Sequence, residues 1–177
     1  GPGAAEAAAE CRPLLRDPYV YVRLAAAVAL ITFGRETGAA AQTLTELLRF
    51  DNGSGNANDA FERRDVIAIA ADTLAAHAVL ASGESVAALA QAAEDRNSEV
   101  RKHAAAAFDA VLKAMVQQRR FDALDSLAAA RDFLAGSSVE GLRNRSRIVA
   151  AAVAELEAAQ PLPLRLQRHA GLVAAAA

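Results

Sequence analysis

The chain lacks most of what would announce a chemistry. Its 177 residues hold one cysteine, Cys11, which excludes a disulfide framework and any multi-cysteine metal site. There is no tryptophan, and aromatics are only 5% of the chain, so platforms for stacking bases or sugars are not expected. Five prolines and ten glycines are few for an all-β protein. No uninterrupted apolar run reaches the roughly 18 residues a membrane helix needs, and no charged-then-apolar leader opens the chain. His77, His103 and His169 are scattered, without the His/Cys/Asp spacing of a metal site, and no glycine-rich loop is set to cradle a phosphate. The expectation is therefore no enzyme, no cofactor and no metal. His77, aligned with Phe33 and Val111 in the comparison below, is expected to be a half-buried packing residue. Of the 19 basic residues only Lys102 and Lys113 are lysine.

What is abundant is alanine, 48 of the 177 residues, and alanine is the best helix former. Helix-breaking clusters recur along the chain: Gly34 to Gly38, Asp51 to Asp59, Ser82-Gly83, Asp95 to Ser98, Gly136-Ser137-Ser138 and Pro161. Between them apolar residues fall at i, i+4 and i+8, as in Val100, Ala104, Phe108, Leu112 and in Ile148, Ala152, Leu156. That is the period of a helix with one buried face. Capping boxes are expected at Asp59-Ala60-Phe61-Glu62 and Ser137-Ser138-Val139-Glu140. No stretch alternates with period two, so the chain reads as all-α.

The helices also repeat. Asp17-Pro18-Tyr19-Val20-Tyr21-Val22-Arg23, running on to Leu30, superposes on Asp95-Arg96-Asn97-Ser98-Glu99-Val100-Arg101, running on to Phe108. A weaker copy has Val66, Ala70, Ala71 and Leu74 in the matching places, and a fourth is read at Ile148, Ala152 and Leu156, with Ile67 and Val149 where the arginine would stand. This pattern of turn Asp, Val-Arg and small residues resembles the second helix of HEAT-type repeats, of the armadillo-like superfamily.

The resemblance implies a right-handed α-α superhelix of about four helix pairs, at about 4–34, 38–80, 84–117 and 120–160. Residues 161–177 would form a C-terminal extension. Gly1-Pro2-Gly3 resembles the remnant of a cleaved expression tag. The helix Val20 to Phe33 is apolar nearly all round and must be covered on several sides. Its partner near Ala4 to Leu15 is short and interrupted by Pro13. A segment of a longer array, packed on missing N-terminal repeats, is therefore expected, in an intracellular protein (cytoplasmic or nuclear).

By resemblance the function is a non-enzymatic scaffold: a curved surface of second helices presented to a protein partner. The candidate partner-binding residues are Arg64, Arg101, Lys102, Arg143 and Arg147. Asp17, Arg23, Asp95 and Arg101 are the candidates for a structural ladder, in which each arginine pairs with a turn acid or with neighbouring carbonyls. Two other readings stay open. Residues 1–97 carry 8 basic and 13 acidic groups and residues 98–177 carry 11 and 8. The basic half could meet phosphate or nucleic acid, although a sequence pI near 5.9 argues against affinity of the whole domain. Alternatively, the apolar N-terminal face could make the chain self-associate. The polar segment Asp51 to Asp59 is expected to be a surface loop. The sequons at Asn52 and Asn144 are attributed to chance.

Overall fold

A computed structural model describes residues 2–51, 57–162 and 164. Among these the chain forms eight α-helices, two short 3-10 turns and no strand. The helices are α1 (Pro2–Leu14), α2 (Val20–Thr32), α3 (Thr37–Leu47), α4 (Ala57–Ala76), α5 (Gly83–Ala92), α6 (Ser98–Gln117), α7 (Leu124–Ala135) and α8 (Glu140–Ala159). Pro2 and Gly3 thus belong to the first turn of α1. α4 starts inside the stretch read as a loop, at Ala57, and residues 52–56 lie outside the described residues.

Local chemistry explains where the helices start and stop. Asn97 caps α6, its side-chain oxygen accepting from the Glu99 and Val100 amides. Ser82 and Ser85 form a reciprocal capping box at the start of α5. The box expected at Ser137 does not form: Val139 is the N-cap of α8 and makes no side-chain cap bond, while the Ser137 hydroxyl accepts from the Val139 amide instead. The box expected at Asp59 falls on side chains outside the described residues. α2 ends with Gly34 at φ 64°, the Gly34 amide reaching the Ile31 carbonyl and the Arg35 amide that of Leu30. This is the six-to-one closure that favours glycine. α6 ends in the same way, but Arg119 holds the left-handed position, at φ 52°.

Helices pack as pairs, α1 on α2, α3 on α4, α5 on α6 and α7 on α8. Successive pairs meet through α3–α5–α7 in one layer and α2–α4–α6–α8 in the other. One apolar core runs the length of the described chain, from Ala8 through Leu30, Leu74, Phe108 and Leu127 to Leu156. The stripe Val100, Ala104, Phe108, Leu112 is buried throughout, as are Val66, Ala70, Ala71 and Leu74. Ile148 differs: it is 47% exposed, while Leu142 and Val149 are buried. α2 is covered by α1, α3 and α4.

The first layer is close-packed at the level of the backbone. A Cβ on Gly83 would lie 2.0 Å from the Ser126 carbonyl oxygen, so α5 can approach α7 only with glycine there. The Gly83 amide donates to the Ser126 hydroxyl at 3.1 Å. The buried Thr45 and Ser85 hydroxyls meet at 2.8 Å and join α3 to α5, with Thr45 also donating to the Ala41 carbonyl. That arrangement leaves no buried side-chain nitrogen or oxygen unsatisfied among the described residues.

Candidate interaction face

The site is built on the second helices, and its frame is a turn used three times. Asp17 accepts the Tyr19 amide, Asp95 the Asn97 amide and Ser137 the Val139 amide, each two residues on. Six residues on from each, an arginine in the first turn of the following helix reaches back to the backbone. Arg23 donates to the Asp17 carbonyl at 3.0 Å. Arg101 donates to the Asp95 and Arg96 carbonyls at 2.8 and 2.9 Å. Arg143 donates to the Ser137 and Ser138 carbonyls at 3.0 and 2.8 Å. A planar fork that meets two carbonyls at once fixes the angle at which the chain enters the helix. The ladder residues Asp17, Arg23, Asp95 and Arg101 therefore act through carbonyl oxygens, and the turn carboxylates are used for something else.

The fourth copy consequently has a different register from the one read in the sequence. Leu142-Arg143 stands where Val100-Arg101 does, not Ile148-Val149. The signal was present, since Arg143 follows Ser137 at the same six-residue spacing. Serine replaces the turn Asp because its hydroxyl accepts the same amide.

The freed Asp95 carboxylate, 8% exposed, binds Arg63 of α4 at 2.5 Å, tying the turn before α6 to the neighbouring helix. Burial pushes this carboxyl up, but the bonds from Arg63 and the Asn97 amide, together with the charges of Arg63 and Arg96, outweigh it. Asp95 is held below the usual carboxylate range. Farther along the same pair of helices, His103 Nδ1 lies 2.9 and 3.0 Å from the two Asp72 oxygens. His77 is exposed rather than half-buried. It stands in the turn after α4, its Nδ1 3.1 Å from the Thr73 carbonyl, because the chain leaves the helix there before the ring can turn inward.

Arg145 fastens α8 to its neighbours. Its guanidinium carbon lies 5.1 Å from the Phe108 ring centroid, over a fully buried ring, and its Nε reaches Glu94 at 3.4 Å. Gly141 allows the approach, since a Cβ there would lie 2.2 Å from the Glu94 carboxylate. Neither Arg63 nor Arg145 stands out in the sequence, because their closest partners across helices, Asp95 for the one and Phe108 and Glu94 for the other, lie more than thirty positions away.

The remaining candidates are dispersed. Arg64 binds its chain neighbour Asp65 at 2.7 Å. Lys102 is exposed at the start of α6. Arg147 donates to Asn144 at 3.2 Å, so Arg143 and Arg147, one turn apart, face different partners and do not frame a shared anion site. Arg120 is likewise engaged, clasping Asp122 and donating to the Val79 carbonyl.

Beyond Arg145 and Phe108, α6 and α8 part and leave a groove of about 420 Å³. Leu112, Val116, Ile148, Ala151 and Ala152 supply its apolar surface, with Asp109, Lys113, Gln117 and Glu155 alongside. Asp109, Lys113 and Glu155 form no ion pair among the described residues, whereas most arginines of the second helices do or bond carbonyls. Among the described residues no group of three or more His, Cys, Asp or Glu is placed to hold a metal. None of their helices is long and apolar enough to cross a membrane. Comparison with protein-family models, curated proteins and solved structures finds no match to the chain.

Proposed function

We propose that the chain is a HEAT-type segment, a right-handed α-α superhelix that works as a non-enzymatic scaffold and offers its second helices to a protein partner. The thrice-used turn supports the repeat: the same side-chain-to-amide bond and the same arginine return open α2, α6 and α8. The observation that carries the function is the groove between α6 and α8, where half-exposed Ile148 sits beside charges of both signs that form no ion pair among the described residues.

Two other readings have less behind them. Binding of phosphate or nucleic acid needs cations aimed at solvent, yet Arg101, Arg120, Arg143 and Arg145 are spent on carbonyls, carboxylates and a ring. Self-association through the N-terminal apolar helix meets a similar obstacle, since Leu24, Leu30 and Ile31 are buried against α1, α3 and α4. The aromatic groups left exposed near that end are Tyr19, Tyr21 and Phe33.

The test is affinity capture from extract by the wild type and two surface variants. A second-helix variant carries Ile69→Glu, Lys102→Glu and Ile148→Glu; a first-layer variant carries Phe133→Glu. The expected result is one set of proteins retained by the wild type and the Phe133 variant and lost from the triple variant, with unchanged thermal melts. Equal retention by all three, or loss with Phe133→Glu alone, contradicts the proposal.

A further inference from the structure

We infer that the α6–α8 groove receives an amphipathic helical segment of another protein, apolar on the seated face and carrying an excess of basic side chains along its edges. The inference rests on the interaction reading above and specifies the partner for one site on that face.

The dimensions fit a short length of helix. From Asp109 to Gln117 the α6 wall is about 12 Å long, a little over two turns at about 1.5 Å per residue. The volume, about 420 Å³, takes a few apolar side chains. Leu112, buried, and Val116, half-buried, lie one turn apart on α6 and form the floor and edge of one ridge. Ala151 and Ala152 on α8 are small enough for a visiting backbone to come close. Ile148 is 47% exposed at this groove and has the most apolar surface to gain from being covered. The partner's apolar side chains should therefore recur at i and i+4, the spacing at which one helix meets such ridges.

The charges set the partner's sign. Asp109 on one wall and Glu155 on the other stand against Lys113 alone, so the groove carries one net negative charge. None of the three has an ion-pair partner among the described residues, so a basic side chain on the visitor would not have to displace an internal bond. Arg145 and Phe108 meet just before the groove along both helices, and neither lines it. Asp109 is the first residue of the α6 wall, so the visitor's basic residue for it belongs at that end of the seated segment.

A displayed library of helical peptides of about four turns, selected on the full chain, tests this directly. The expected peptides carry an apolar i, i+4 stripe and more Lys and Arg than the unselected pool. Ile148→Glu should weaken them by at least about tenfold. The double change Asp109→Lys, Glu155→Lys should also weaken them, and replacing the peptide's lysines by glutamate should restore binding to that variant. All three positions are solvent-exposed, so thermal melts of these variants should match the wild type. Selected peptides without a basic excess, or binding unmoved by Ile148→Glu, overturn the inference. If Ile69→Glu on α4 abolishes binding instead, the scaffold reading stands and this site falls; if no peptide is recovered, both fall. A concentration-dependent dimer abolished by Ile148→Glu would make the occupant a second copy. Peptide affinity raised by Leu166→Glu would make it the chain's own C-terminal segment. Either result overturns a foreign partner.

Discussion

Along the second-helix layer, α6 packs extensively on α4 and only sparingly on α8. The two junctions use the same materials, alanine, arginine and a few carboxylates, with opposite results. Between α4 and α6 the charges are consumed: Arg63 holds Asp95, His103 holds Asp72, and Val66, Ala70, Ala71 and Leu74 are buried against the α6 stripe. Between α6 and α8 one fastening, Arg145 over Phe108 and against Glu94, is followed by a groove whose charges pair with nothing among the described residues. In the first layer, α5 is closed on α7 at the backbone by Gly83 on Ser126. The lesson is that a layer of helices leaves a recess where one helix is fastened to its neighbour mainly at one end, and that the recess can be identified by charges that pair with nothing among the described residues.

The largest way to break this contrast is to pry open the closed layer. Gly83→Ala places a methyl group within 2.0 Å of backbone and should destabilise the protein by about 3 kcal/mol or more. Gly38→Ala, which meets nothing within 4 Å, should not. Chemical denaturation of the two variants makes the comparison, and equal stabilities would mean that α5 and α7 are not in backbone contact.

Next in size is the Arg63–Asp95 tie. Asp95→Asn should cost about 2 kcal/mol at neutral pH, because it removes the nearer and more buried of Arg63's two carboxylate partners, leaving Asp51 at 4.0 Å. Asp95 is held below the ordinary carboxylate range, so its charge stabilises the folded state above the unfolded carboxyl's titration. That contribution is lost as pH falls through the lowered folded value. The gap between wild type and Asp95→Asn should accordingly shrink on acidification. A gap constant with pH would show that the charge is not what matters.

Smaller effects separate frame from face. Arg143→Ala should cost about 1 kcal/mol through the two carbonyl bonds it loses, measured as a lowered denaturation midpoint. Arg119→Gly should raise stability by about 0.5–1 kcal/mol, since the left-handed position that closes α6 suits glycine better than arginine. Smallest of all, Ile148→Ser in the open groove should stay within about 0.5 kcal/mol, while the buried Val149→Ser one residue on should cost several times more. A large loss at Ile148 would mean that the groove is filled in the free protein.

Much of the frame was legible. Clusters such as Gly34 to Gly38 and Asp95 to Ser98 span the breaks between helices and run into the first turns of α3 and α6, and the Val100 to Leu112 stripe is core, because helix period and breaking residues are local properties. The six-residue spacing of Asp17 with Arg23 and of Asp95 with Arg101 marked the ladder positions, since that contact closes within one turn and the helix it opens. What the arginines bind was less legible. A turn acid and its carbonyl lie in the same residue, and which of them accepts depends on whether another cation claims the carboxylate, as Arg63 does at Asp95. The apolar period points to Ile148, six residues after the Leu142-Arg143 that matches Val100-Arg101, because Ile148 fits the period while facing a groove rather than a core.

The sequence by itself determined that the chain is all-helical, where most helices break and that a turn-and-arginine device recurs, for these follow from alanine content, spacing and bonds within a few residues. Only the tertiary structure decided that Gly83 must be glycine, that Arg63 and Arg145 bridge distant helices and that α6 and α8 part beyond Phe108. Those features depend on how far apart neighbouring helices settle. That distance is set by side chains meeting across the layer, far apart along the chain, and no local pattern encodes it.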